Sequence, residues 1–293
     1  MSNQITTAFV NEFKTGVELT VQQKTALLRS AVRVEPMVKD RAFFDQIGAV
    51  ASTIENTRHA DTSYVNTPHK RRSVSTQRWS VADLIDEQDK VRTLNDPTNA
   101  YTQAFTSALS RSHDRIVVEA MLGTSYAVQT GTTAVPLPAA QKIANGATGF
   151  TLAKVRQAMR ILKSKNAINP GDELYIAWTS YQEDQFIDTT EVKSVDYNTQ
   201  RVLLSGNVDG FYGFKFIRIE DANDGVILPK ASSIRSCVAW VKSGVVLGIN
   251  KDIQARIDVL PGKNYSTQVY AAMDIGATRM HEEKVVQIDV VES

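Results

Sequence analysis

Apolar residues are unevenly distributed along this chain, and their period changes from segment to segment. Val10, Phe13, Val17 and Val21 recur every three to four residues, which predicts a helical stretch near the N-terminus. Gly16 and Thr20 weaken it, and Pro36 closes the segment. Residues 52–80 then hold only six apolar side chains in 29: Ile54, Ala60, Tyr64, Val65, Val74 and Trp79. Within them, Ser73 to Trp79 alternates with a period of two, and Pro68 with the charges after it marks a turn. The pattern predicts a long, polar, two-stranded excursion. An isolated hairpin is marginal in water, so its order is expected to come from another surface.

Asp96-Pro97 opens the clearest helix, with Asp as N-cap and Pro at the first helical position. Tyr101, Phe105, Ala108, Leu109, Ser112, Ile116, Ala120 and Met121 give its expected buried stripe, and Gly123 ends it. Such a helix is about 39 Å long at about 1.5 Å per residue, a strut rather than a packing unit. A Thr/Ala/Gly connector with Pro136 and Pro138 follows. Thr151 is expected to cap a second helix with Leu152, Val155, Met159 and Leu162 on one face. Glu173–Thr179 reads as a buried strand, Tyr181–Ile187 as a short helix and Phe211–Ile219 as a strand. From Ser236 onward the pattern turns to β, with strands at Ile253–Leu260, Gln268–Met273 and Val285–Val291 and a turn at Pro261-Gly262. The fold class is α+β, and no repeat of 20–50 residues stands out.

Composition narrows the classes. The 293 residues are 42% hydrophobic, enough for a core rather than a disordered chain. Cys237 is the only cysteine, so neither an internal disulfide nor a Cys-rich zinc site can form. The net charge is +1, which supplies no global field for nucleic acid or membrane. No 18-residue apolar run exists, and Met1 to Val10 carry no basic charge. A soluble protein of the reducing cytoplasm, with no membrane partner, is the expectation.

The balance conceals local opposition. Residues 52–80 hold Arg58, Lys70, Arg71, Arg72 and Arg78 against Glu55 and Asp61, a net of +3. Residues 81–96 hold Asp83, Asp86, Glu87, Asp89 and Asp96 against Lys90 and Arg92, a net of −3. A basic tongue beside an acidic base lets copies of one chain pair head to tail; two solvated faces of one monomer are the alternative. Inter-subunit contacts are therefore expected at Arg58, Lys70, Arg71, Arg72, Arg78, Trp79, Asp83, Asp86 and Glu87.

Catalytic signatures are missing. No phosphate-cradling Gly-rich loop, dinucleotide fingerprint or Gly-x-Ser-x-Gly elbow is present. His59, Asp61 and His69 could ligate a metal, but no supporting second ring of residues is evident, so no metal is assigned. His113 and His281 read as solvated or structural. Asp221–Gly225 fails the spacing of a calcium loop and reads as a turn. Cys237, between apolar neighbours, reads as a core residue. Lys70-Arg71-Arg72 has no interleaved aromatic residues, so a base-stacking platform is unsupported. No enzyme and no cofactor are expected.

Wording along the chain resembles one family. Gln22-Gln23 with Leu27-Leu28-Arg29, then Phe44 to Gly48, Thr67 to Arg72, Ala82 to Asp86 and Asp96-Pro97-Thr98 resemble its arm, loop and helix start. Asp188 to Glu191, Ser194 to Asn198, Gly206, Gly213 to Phe216 and Gly276 to Arg279 are similar to its later segments. The chain resembles the major capsid proteins of tailed bacteriophages, with the Hong Kong 97-type fold. The resemblance implies an N-terminal arm (1–50), an extended β-hairpin loop (51–80), a peripheral domain (81–135) with a spine helix at 97–122, an axial domain (136–235) and a β-rich return to the peripheral domain (236–293). It implies a non-catalytic shell subunit in hexamers and pentamers around phage DNA, assembled in the host cytoplasm. A separate scaffolding protein, a portal and non-specific contact with packaged DNA are further implied partners. A cellular compartment shell of the same fold, or an unrelated α+β enzyme with a flap at 52–80, are the alternatives.

Overall fold

A computed structural model of the chain describes residues 22–54, 56, 58, 61–62, 64–85, 98–127, 132–188, 210–221 and 225–292. The helix expected around Val10–Val21 lies outside them. In chain order the first strands are β1 (Arg33–Pro36), β2 (Arg41–Ile47), β3 (His69–Ser75) and β4 (Gln77–Ile85). Helix α1 (Thr98–Leu122) precedes β5 (Ser125–Ala127), β6 (Thr133–Val135) and β7 (Lys142–Ile143). Next come α2 (Leu152–Ser164), β8 (Leu174–Trp178), α3 (Ser180–Asp188), β9 (Gly210–Phe211) and β10 (Phe214–Arg218). The chain closes with β11 (Lys230–Ala231), β12 (Ile234–Val241), β13 (Val245–Leu260), β14 (Ser266–Arg279) and β15 (Val285–Val291).

These strands form three sheets. The largest runs β7-β15-β12-β8-β10-β9, with β11 paired to β12. Its middle strands are apolar on both faces, as a sheet covered on both sides requires. All five residues of β8 are buried. One face, through Tyr175, Ala177, Val238 and Trp240, shares a core with Leu28, Ala31, Val32, α1 and β14. The other, through Ile176, Trp178, Cys237, Ala239 and Ile288, packs on α2 and α3. There Trp178 stacks on Phe216 with ring centroids 4.0 Å apart and meets Phe150 edge-on at 5.3 Å. The second sheet runs β1-β13-β14-β4, and the third β2-β3-β5-β6.

Several elements depart from the sequence reading. Residues 236–293 divide between two sheets. β12 and β15 join β8 in the large sheet, while β13 and β14 pair with β4 in another. Phe211–Ile219 is not one strand: Tyr212 and Gly213, with φ of 52° and 85°, make a tight turn between antiparallel β9 and β10. The alternation from Ser73 to Trp79 hides a change of sheet at Thr76, since β3 pairs β2 and β4 pairs β14. Gly276 permits that crossing: a Cβ there would lie 2.0 Å from the Ser75 carbonyl oxygen.

Helix α2 buries Leu152, Val155, Met159 and Leu162 as its spacing predicts, although the Thr151 side chain makes no capping hydrogen bond. Helix α1 buries Leu109 and Met121 of the predicted stripe and adds a polar stripe beside them. Ser107, Ser110, Asp114, Val117 and Met121 are buried, whereas Tyr101, Phe105, Ala108, Ser112 and Ile116 are half-buried. The buried face is thus wider than the predicted one and extends onto its polar side. The hydroxyls of Ser107 and Ser110 donate to the carbonyls of Gln103 and Thr106, four residues back, so their burial leaves no orphan. Asp114 is fully buried and accepts from the Leu27 and Leu28 amides at 2.9 and 3.0 Å and from Gln23 at 2.6 Å. The helix thus turns a polar anchor inward to hold the arm.

Candidate assembly surface

The β2–β3 hairpin is antiparallel, with Ile47 opposite His69 and Arg41 opposite Ser75. Exposure alternates along β2, so Phe43, Asp45 and Ile47 face outward while Ala42, Phe44 and Gln46 face the body. On the outward face Arg71 stands opposite Asp45 and forms a two-nitrogen ion pair with it; its guanidinium also lies 5.8 Å from the Phe43 ring centroid. The Arg71 hydrogen bond holds the Asp45 carboxyl below the usual carboxylate range.

The inward face fastens the hairpin to the body. Arg72 is 4% exposed and pairs with Glu282, while Gln46 donates to the Met280 carbonyl at 2.5 Å. Met37, Val74, Val246 and Met280 form a small core beneath, with Ala42 and Phe44 against it. Gly48 donates to the Pro68 carbonyl at 2.8 Å, closing the paired part. Beyond that point Val50, Ile54, Tyr64 and Val65 are exposed, Ile54 and Tyr64 at 88% and 93%. Hairpin and residues 282–283 wall an open groove of about 1020 Å³.

The expected contact residues therefore divide. Lys70 and Arg71 are on the hairpin, but in strand β3 rather than at a loop tip. Arg72 is buried within its own chain, where it pairs with Glu282. Arg58 lies in an exposed turn. Arg78, Trp79 and Asp83 belong to β4, the edge strand of another sheet. Arg78 donates to the Tyr270 hydroxyl at 3.2 Å, Trp79 packs against the main core, and Asp83 is exposed. Asp86 and Glu87 lie outside the described residues, so the acidic base is only partly visible. His59 lies outside them too, and no cluster of three metal-ligating side chains occurs among the described residues.

Two arginines and a carboxylate that the sequence reading passed over tie distant parts of the fold together. Arg279, fully buried, donates to the Met121 and Gly123 carbonyls at 2.7 and 2.8 Å and to Val135 at 2.9 Å. A cation there complements the negative end of α1. Arg235 forks between Asp221 and Glu292, at 2.7 and 2.6 Å. That pairing, with Lys230 and Gln182, holds the Glu292 carboxyl down to about 2. Their signal was weak, since each partner lies far along the chain. Cys237 is the buried core residue expected, and burial pushes its thiol pKa up. Burial pushes the His281 imidazole down. No helix among the described residues is long and apolar enough to cross a membrane.

A family model described as phage capsid protein matches residues 5–292. Solved structures match along nearly the full chain at low identity. The head structure of Helicobacter pylori bacteriophage KHP40 aligns with a TM-score of 0.75 at 12% identity, covering 97% of this chain and 96% of that one. The capsid of cyanophage P-SCSP1u gives 0.72 at 14% identity, covering 100% and 96%. A chain of Mycobacterium phage Che8 gives 0.67 at 15% identity, covering 96% and 97%. No curated protein matches the sequence.

Proposed function

The chain belongs to the phage capsid protein family, and from that premise we propose how its surfaces are used. Its role is structural: it is a major capsid subunit, copies of which build the icosahedral shell of a phage head. The family match across residues 5–292 carries this reading. The subunits group as hexamers and pentamers, and the hairpin of each lies across a neighbour. Exposed Phe43, Ile47, Ile54 and Tyr64 on an otherwise polar hairpin support that use, because apolar side chains so exposed gain burial only from another chain. Edge strands β2 and β4 offer unpaired backbone for the same purpose. In this reading Arg58, Lys70, Arg71, Arg78 and Asp83 are rim contacts between copies. Residues 81–135 with α1 form the peripheral domain, and the large sheet with α2 and α3 forms the axial domain. A scaffolding protein and a portal complete assembly in the host cytoplasm.

Negative-stain electron microscopy of the purified protein tests this. Closed shells, or rings of six and five, are expected; a persistent monomer at assembly concentrations would overturn it.

A further inference from the structure

Between Glu119 and Asp172 the chain carries no carboxylate, yet it carries Lys142, Lys154, Arg156, Arg160, Lys163 and Lys165. In a protein of net charge +1, this acid-free segment makes a local positive field. The fold sorts its cations. Lys154 is buried, and its ammonium donates to the carbonyls of Asn145, Thr148 and Asp289, each at 2.9 Å. It ties a loop to β15 and is used within the fold. Arg156, Arg160 and Lys163 are different. Spaced by four and three residues, they share the exposed face of α2, opposite its buried Leu152, Val155, Met159 and Leu162. Among the described residues none of the three has a carboxylate within ion-pair distance, whereas Arg71, Arg72 and Arg235 all do.

The β9–β10 turn stands beside this face, close to Met159. It brings half-exposed Tyr212 to a shallow groove of about 830 Å³ lined by Arg156, Gln157, Arg160, Lys163 and Ser164. The charged groups are donors only, and their neutral neighbours Gln157 and Ser164 can donate as well. Phosphate oxygens, which only accept, match such a set. From Arg156 to Lys163 the helix rises roughly 10 Å. A duplex presents about six phosphate charges over that length. A folded protein partner would ordinarily need a buried apolar anchor, and this face offers cations with a single aromatic ring.

We propose that the outer face of α2 binds the phosphate backbone of duplex DNA without regard to sequence, and that this face turns toward the shell lumen. The lumen assignment rests on the capsid reading above; the binding assignment does not.

Fluorescence anisotropy with a labelled 30-base-pair duplex of random sequence tests the binding. The unassembled wild-type protein should lose affinity steeply as salt rises. Arg156→Gln/Arg160→Gln/Lys163→Gln should shallow the log–log salt slope by roughly 2–3, at about 0.9 per lost phosphate contact. Its thermal unfolding should stay unchanged. A charge-matched control, Lys39→Gln/Lys251→Gln/Arg256→Gln, should keep the wild-type slope. Equal loss in both triples, or no salt-dependent binding by wild type, overturns the proposal. So does a polyglutamate peptide that outcompetes the duplex at equal charge, which would assign the face to an acidic protein.

Orientation is read with Arg160→Cys. The one native thiol, Cys237, is fully buried, so a maleimide on a large polymer reports only position 160. Labelling of free subunits and protection in closed shells is expected; equal labelling overturns the lumen assignment. If the wild type forms no shells at all, the capsid reading falls with it, while the duplex result still decides the binding.

Discussion

The large sheet with its two helices and the β2–β3 hairpin are built on opposite plans. The sheet is apolar on both faces, and its Arg235 is almost wholly enclosed between Asp221 and Glu292. The hairpin rests on a core of four buried residues and displays Ile47, Ile54 and Tyr64 to solvent. One region completes itself within the chain, and the other is left open for completion by a copy. In a shell subunit this division is useful. A self-sufficient centre keeps the subunit folded before assembly, and an incomplete periphery drives association.

The comparison breaks most easily at the centre. Trp178→Ala should cost about 3–5 kcal/mol in urea unfolding, since it removes the ring that Phe150, Phe186 and Phe216 pack against. A loss below about 1 kcal/mol would mean that the sheet does not carry the fold. Arg72→Glu should be next, at about 3 kcal/mol, because it sets a buried carboxylate against Glu282. Lys70→Glu, two residues away on the same strand face but exposed, should leave unfolding nearly unchanged. Equal effects would erase the difference between the buried and the exposed position on that face of β3.

Acid sharpens the contrast. Glu292 is held to about 2 by Arg235, and Glu173 to about 2 chiefly by Lys215 and then Lys242. Free carboxyls titrate near ~4.3. A lowered folded pKa means that their stabilisation is full above that value and is lost as pH falls from ~4.3 toward 2. The urea midpoint should therefore drop across that window, and Glu292→Gln should flatten the drop. A Glu292→Gln profile as steep as wild type would remove Arg235 and Glu292 as its cause. The smallest effect on the subunit is expected at the hairpin. Ile47→Ser/Tyr64→Ser should change unfolding by less than about 0.5 kcal/mol, as exposed positions do, yet reduce shell yield. Normal shell yield would show that these side chains are not buried between copies.

Local elements were legible where one period ran unbroken. Gly123 marked the end of α1, while its Asp96-Pro97 start lies outside the described residues; the spacing of Leu152 to Leu162 oriented α2, and Leu174 to Trp178 read as a buried strand. The contact surface was legible only in part. The starved composition of 52–80 pointed to an excursion, and ordered wording pointed to the family that the whole-chain match establishes. Direction was less legible. The buried face of α1 was read too narrowly: Leu109 and Met121 are buried as expected, but Ser107, Ser110 and Asp114 are polar and carry no apolar signal. Lys70, Arg71 and Arg72 look equivalent in sequence, while the fold buries Arg72 against Glu282 and leaves Lys70 exposed.

The sequence by itself determined where helices and most strands lie, which segment is poor in apolar residues, and to which family the chain belongs. These depend on neighbours two to four residues apart or on residues in order along the chain. Only the tertiary structure decided which face of α1 is buried, that the strand pattern changes sheets at Thr76, and that β12 and β15 part from β13 and β14. It alone paired Arg72 with Glu282 and, among the described residues, set no carboxylate within ion-pair distance of Arg156, Arg160 or Lys163. Each of those outcomes is a choice among partners far apart in the chain. Local periodicity is blind to that choice, because it is made by packing and by the need to satisfy buried charge.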